Sequence, residues 1–143
     1  MRAPLMLVAT SCLVGCSQVE FELPPNYVGW VRVELQDARC APMSRVGLKR
    51  LVKVGNDGRA CTSEGMPSGW RHDTYVRSNP ERSTIDSATL VWSQAVGEDF
   101  RDGRSIARHY SFFVGSSEQM HGSGLGPPTW GVTSERPEPH HGR

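Results

Sequence analysis

The chain has no apolar run long enough to cross a bilayer as a helix, which takes about 20 residues. Its most apolar stretch, residues 5–14, is far shorter. It has no excess of either charge, with 16 Lys and Arg against 15 Asp and Glu and no basic block. Nothing here steers a polyanion, so nucleic acid is not an expected partner. Only four cysteines occur, and none has a second cysteine at C-x-x-C spacing. A thiolate metal site or a dithiol redox motif therefore has no local signature. A Gly-x-Ser-x-Gly nucleophile elbow is also missing, since Gly115-Ser116-Ser117 and Gly122-Ser123-Gly124 do not fit that spacing. No segment carries a helical stripe bounded by a cap and a stop. Glycine and proline, by contrast, are plentiful at 15 and 10 residues. With 37 % apolar residues, that balance suits a turn-rich β domain better than a helical bundle.

The first sixteen residues are the most informative stretch. Arg2 supplies a positive start, residues 5–14 are uncharged and apolar apart from Thr10 and Ser11, and Gly15 stands directly before Cys16. That order is the layout of an export signal, in which a basic end precedes a short apolar core and a small residue at the cut. Leu13-Val14-Gly15-Cys16 closely resembles the lipobox of bacterial lipoproteins. The resemblance implies cleavage before Cys16, a diacylglycerol thioether on its sulfur and a palmitate-type acyl group on its new amino terminus. A thiolate takes a lipid readily as a thioether, and two or more chains make such an anchor effectively stable. Ser17 rather than Asp in the next position implies the outer membrane where the cell has one. A cleavable signal without lipid is the variant, leaving a periplasmic protein.

Residues 1–15 then form the signal, residues 16–25 a tether closed by Pro24-Pro25, residues 26–115 a β domain and residues 116–143 a tail. Loss of Arg2 leaves a formally neutral mature chain. With Cys12 removed and Cys16 lipidated, Cys40 and Cys61 remain as a pair in an oxidising compartment. A structural disulfide is favoured for them over a two-thiolate metal site or a redox pair.

Within the domain, residues 27–36 alternate, with Val31, Val33 and Leu35 on one face and Trp30, Arg32 and Glu34 on the other. Residues 37–47 read as a loop. Residues 48–63 read as a hairpin around Gly55-Asn56-Asp57-Gly58, where Asn, Asp and Gly tolerate positive φ. Residues 70–77, 87–96 and 105–114 supply further strands, with Trp70 and Trp92 assigned to the core and residues 98–104 to a charged turn. The fold expected is all-β, a single antiparallel β-sandwich or, alternatively, a small open barrel. Residues 116–143 offer little to bury and read as a disordered tail that Trp130 could pin to the domain.

Leu23-Pro24-x-x-Tyr27-x-Gly29-Trp30-Val31-x-Val33, with Gly58, Thr62-Ser63 and Phe113-Val114-Gly115, resembles a family of bacterial β domains of unknown function. Members are often exported or lipid-anchored and begin with Pro-x-x-Tyr-x-Gly-x-Val. The resemblance covers roughly residues 21–115. It implies the fold and carries no catalytic residue.

Trp30, outward on its strand, is the one candidate contact for a glycan ring or partner protein, unless it packs beneath the tether or tail. His72, His109, His121, His140 and His141 lack the i, i+2 or i, i+4 spacing of a metal pair. No metal ligand, catalytic residue or cofactor is assigned. The reading is therefore a lipid-anchored, non-enzymatic envelope module, reaching the membrane through Cys16 and possessing an envelope protein or glycan as its other partner. The alternatives are a small envelope hydrolase acting on glycan or cell-wall material, and a metal-capturing lipoprotein.

Overall fold

The computed structural model describes residues 17–124. Its strands form two four-stranded sheets. In spatial order the first holds β3 (Ser44–Val46), β4 (Lys49–Lys53), β1 (Ser17–Leu23) and β6 (Arg71–Arg77). The second holds β5 (Arg59–Cys61), β2 (Gly29–Leu35), β8 (Arg104–Val114) and β7 (Val91–Arg101). Two short helices complete the described chain. α1 (Ser87–Leu90) is capped by Asp86, and α2 (Ser117–Gly122) by a Ser116/Gln119 capping box. The chain is an all-β sandwich, as its alternation implies.

The pairing departs from an antiparallel sandwich. β1 is parallel to both β4 and β6, and β2 is parallel to β5. The cause lies in two segments that local sequence misassigns. Residues 17–23 are a central strand rather than a tether, with Val19, Phe21 and Leu23 fully buried. The turn Gly55–Gly58 does not close a hairpin, because β4 and β5 belong to different sheets. It carries the chain across the sandwich. The hairpin in this region is instead β3–β4, turning at Gly47 and Leu48. Two further boundaries shift: residues 87–90 are helical, and residues 98–101 extend β7 instead of turning. α2 likewise folds part of the segment assigned to the tail, while residues 125–143, with Trp130, lie outside the described residues.

Strand directions fix two ends. β1, β4 and β6 all leave the end where Ser17 sits, and the chain turns back at Pro24–Pro25 so that β2 and β5 return towards it. β8 runs opposite to β2 and β7 opposite to β8. The Ser17 end therefore gathers the β3–β4 turn, the loop before β6 and the β7–β8 turn. The other end gathers Tyr27, Gly58 and Gly115. Pairing of β2 with β8 stops at Leu35–Arg108, whereas β7 and β8 pair onwards to Arg101–Arg104. This hairpin projects past the sheet at the Ser17 end. Its turn residues Asp102 and Gly103 both have positive φ, the twist that suits a two-residue hairpin.

The inward faces meet at an aromatic cluster. Phe21 stacks on Tyr75 at 5.3 Å and meets Phe112 edge-on at 5.0 Å; Tyr110 lies 5.5 Å from Phe21. Val19, Leu23, Val31, Val33, Val52 and Val114 close around it. Each such buried side chain contributes about 1.5–3 kcal/mol relative to exposure. On the outer face of the first sheet, Arg82 reaches Glu20 and Glu22 at 2.5 Å each and straps the 78–86 loop over β1.

Candidate functional site

An open cleft of about 630 Å³ lies along the flank where β6 faces α1 and β7. Pro67, Trp70, Arg71, Asp73, Ser87 and Gln94 are among the residues lining it. Alternation along β6 brings Arg71, Asp73 and Tyr75 to one face. Arg71 grips the Asp73 carboxylate with two bonds, of 2.7 and 2.8 Å, and the Tyr110 hydroxyl donates to the same carboxylate at 3.0 Å. The Arg71 guanidinium also lies over the Tyr110 ring, 4.8 Å from its centre. Behind this pair, the Tyr75 and Tyr110 hydroxyls approach to 3.5 Å.

Burial pushes the Tyr110 phenol up to about 12, against a lowering hydrogen bond from Tyr75 and with Asp73 adding to the rise; burial, then Tyr110, raises that of Tyr75 as well. Both stay neutral at physiological pH and serve as hydrogen-bonding groups, not as bases. Asp73 already accepts from three donor groups. The arrangement is a clamp that braces the cleft wall.

A second cluster occupies the outer face of the β2–β8–β7 sheet. Arg32, itself buried, bonds Glu34 at 2.6 Å and pairs with Asp99. His109 Nδ1 stands 3.7 Å from Asp99 Oδ1, beyond a hydrogen bond. The His109 ring lies over Gly97, where a Cβ would come within 2.6 Å of Nε2. Burial, and then the Arg32 charge, lowers the His109 pKa, with Asp99 and Glu34 opposing. A buried arginine satisfied by carboxylates is a structural ion network.

The sequence-singled residues fall as follows. Cys16 lies outside the described residues, and β1 begins at the next position. Cys40 and Cys61 form a disulfide with their Cα atoms 5.9 Å apart, tying the loop after β2 to the end of β5. Of the two readings of Trp30, exposed contact or packed side chain, the structure shows the packed one, against Phe113 rather than a tether or tail. Trp30 points outward, but it is only 8 % exposed and meets Phe113, its cross-strand neighbour, edge-on at 5.5 Å. Trp70 reverses its core assignment at 82 % exposure. Trp92 is half-buried and donates from its indole to the Gly115 carbonyl at 2.9 Å. His72, His109 and His121 sit on β6, β8 and α2, and His140 and His141 lie outside the described residues. Among the described residues no three His, Cys, Asp or Glu converge as metal ligands.

Sequence reasoning missed the Arg71–Asp73–Tyr110 clamp. The period of two along β6 displayed half of it; Tyr110 joins from a strand far away in the chain. The Arg32–Glu34 pair carried the same i, i+2 signal.

The chain matches no protein-family model and no curated protein sequence. Among solved structures it is similar to a "Putative Lipoprotein from Bacillus anthracis". That similarity has a TM-score of 0.62 and 20 % identity, covering 82 % of this chain and 86 % of that one. Likeness at this identity establishes a shared fold.

Proposed function

We propose that this chain is a lipid-anchored cell-envelope protein, a non-enzymatic module that binds or braces an envelope partner and is held to a membrane through Cys16. One observation carries the reading: Ser17, the residue directly after the lipobox-like Leu13-Val14-Gly15-Cys16, is already paired with Arg71 in the first sheet. The fold shared with a chain that is itself described as a lipoprotein supports the same reading. The Cys40–Cys61 bridge suits an oxidising compartment. The clamp around Asp73 and the ion network at Arg32 both engage their carboxylates, which favours a binding or bracing role over hydrolysis. Ser17 after the lipidated cysteine points to the outer membrane in a cell that has one, and an envelope protein or glycan is the partner class to seek.

The test is the intact mass of the protein extracted from bacterial membranes without reductant. A chain beginning at Cys16 with acyl mass is the expected result. A full-length or unacylated chain overturns the proposal.

A further inference from the structure

Among the described residues, five of the seven large apolar side chains that stand exposed gather at one end; Val28 and Val96 lie elsewhere. Leu48, at 94 % exposure, and Val46, at 65 %, form the β3–β4 turn; Trp70, at 82 %, precedes β6; Phe100 and Ile106, at 64 % and 45 %, flank the projecting β7–β8 turn. All five lie at the Ser17 end. Register aligns them closely. Gln18 pairs with Lys49 and Ser17 with Arg71, so Leu48 and Trp70 sit level with the start of β1, one strand to either side. Strand spacing puts them about 10 Å apart. The Ser17 N–H donates to the Trp70 carbonyl at 3.1 Å, which ties the tryptophan backbone to the residue beside Cys16. Arg101 and Arg104 face each other at the projecting turn and, among the described residues, neither is in an ion pair. Like charges directly opposite disfavour a strand pair in isolation, and an anionic surface relieves that repulsion.

We infer that the Ser17 end is a membrane-docking rim: Leu48 and Trp70 enter the lipid headgroup layer beside the acylated Cys16, and Arg101 and Arg104 meet anionic phosphates. The inference rests on the lipid-anchor reading. Its geometric core is the missing tether. One peptide unit, about 3.8 Å, separates Cys16 from the first paired residue of β1. The headgroup layer of each leaflet is about 5–7 Å deep. A lipid fixed at Cys16 thus draws the neighbouring turns into that layer, where Trp is at home and apolar area gains burial. Basic side chains at the same level are attracted to anionic lipid. The two other candidate occupants, residues 125–143 and a second copy, fit less well. α2, the last described element, lies at the opposite end, where Met120 meets Ser93. A second copy seated on this rim would bring Arg101 and Arg104 against their own like charges.

The experiment uses the full acylated chain from bacterial membranes, its mass recorded first. It is then reconstituted into phosphatidylethanolamine–phosphatidylglycerol vesicles with and without bromine on the acyl chains. In a W130F background, which removes the tryptophan outside the described residues, bromine is expected to quench a blue-shifted part of the tryptophan emission, and adding W70F is expected to abolish that part. Trp30 and Trp92 pack at the far end around Phe113 and Gly115 and do not contribute it. R101E/R104E is expected to weaken the quenching as phosphatidylglycerol content rises. Equal quenching with and without W70F, or none, on a chain proven acylated overturns the inference and leaves the lipid anchor standing. A mass without acyl groups overturns the anchor itself, and the rim with it. In detergent the acylated chain is expected to sediment as a monomer. A dimer dissociated by L48S/W70S overturns membrane docking and assigns the rim to a second copy.

Discussion

The two ends of this sandwich are built on opposite principles. At the Tyr27 end the chain is closed mainly by side chains that bond back onto it, though Val28 stays exposed. The Tyr27 hydroxyl donates to the Trp30 carbonyl, Gly58 packs directly beneath that hydroxyl, and the Arg77 guanidinium bonds the Pro25 carbonyl at 2.9 Å. At the Ser17 end the turns leave Leu48, Trp70 and Phe100 in the open, and a disulfide fastens the loop between β2 and β3 to the end of β5. One end is closed by packing; the other is fastened covalently and left apolar. The motif residues Tyr27, Gly29, Gly58 and Phe113-Val114-Gly115 gather at the closed end, while Thr62-Ser63 follows β5 at the other. The landmarks at the closed end therefore mark how the sandwich is shut.

The sharpest way to break the comparison is at Gly58. Its φ is +78°, and a Cβ there would strike the Tyr27 hydroxyl and come within 2.5 Å of the Trp30 carbonyl. Gly58→Val is expected to cost about 3–5 kcal/mol, from left-handed strain and a clash against backbone. A denaturant midpoint measures it, and a loss below about 1 kcal/mol would show that the closed end yields. Next in size comes the disulfide, whose partners are 21 residues apart. Reduction is expected to cost about 3 kcal/mol in the chain-entropy view, read from guanidinium unfolding with and without reductant.

A smaller effect comes from His109. Burial and Arg32 hold its pKa below the ordinary histidine value in the fold. The unfolded chain, with an ordinary pKa near 6.5, then takes up a proton that the fold resists. Stability should fall as pH drops from 7 towards 5 and level off once the folded-state pKa is passed. Thermal unfolding across that range would test this, with His109→Gln expected to flatten the fall. Smallest of all is the rim. L48S/W70S should change stability by no more than about 0.5 kcal/mol, because both side chains are exposed. A double variant that unfolds would mean these residues serve the fold and not a contact.

Much of the architecture is legible in the sequence, for a local reason. β2, β6 and β8 are half-buried strands, and the period of two that marks them needs no knowledge of their partners. The same period is present in Val19, Phe21 and Leu23, between Glu20 and Glu22. Its closeness to the signal and to Pro24-Pro25 made a spacer the natural reading. Which sheet a strand joins is a different matter. Gly55-Asn56-Asp57-Gly58 bends the chain sharply whether it closes a hairpin or crosses the sandwich, and the choice rests on long-range pairing with β1 and β2. Trp30 teaches a related lesson. Its outward direction follows from alternation, but outward is not the same as exposed once Phe113 lies against it. Trp70 shows the converse, since a large aromatic beside a strand is drawn to the core only if the strand carries it inside. The disulfide followed from cysteine count and compartment alone. The Asp73 clamp and the exposed rim are products of topology, which no local pattern encodes.

The placing of β1 also has a mechanical side. Ser17 through Leu23 is bonded to β6 and Gln18 through Glu22 to β4, with all three strands aligned in one direction. A pull on the chain from before Ser17 runs along β1 and loads both ladders at once, in shear. Nothing peels one bond at a time. Forced unfolding is governed by the rate of the first rupture, and here that rupture must break two rows of hydrogen bonds together while dragging Val19, Phe21 and Leu23 out of the aromatic cluster. Tension applied ahead of Ser17 is in this way borne by a strand paired on both sides.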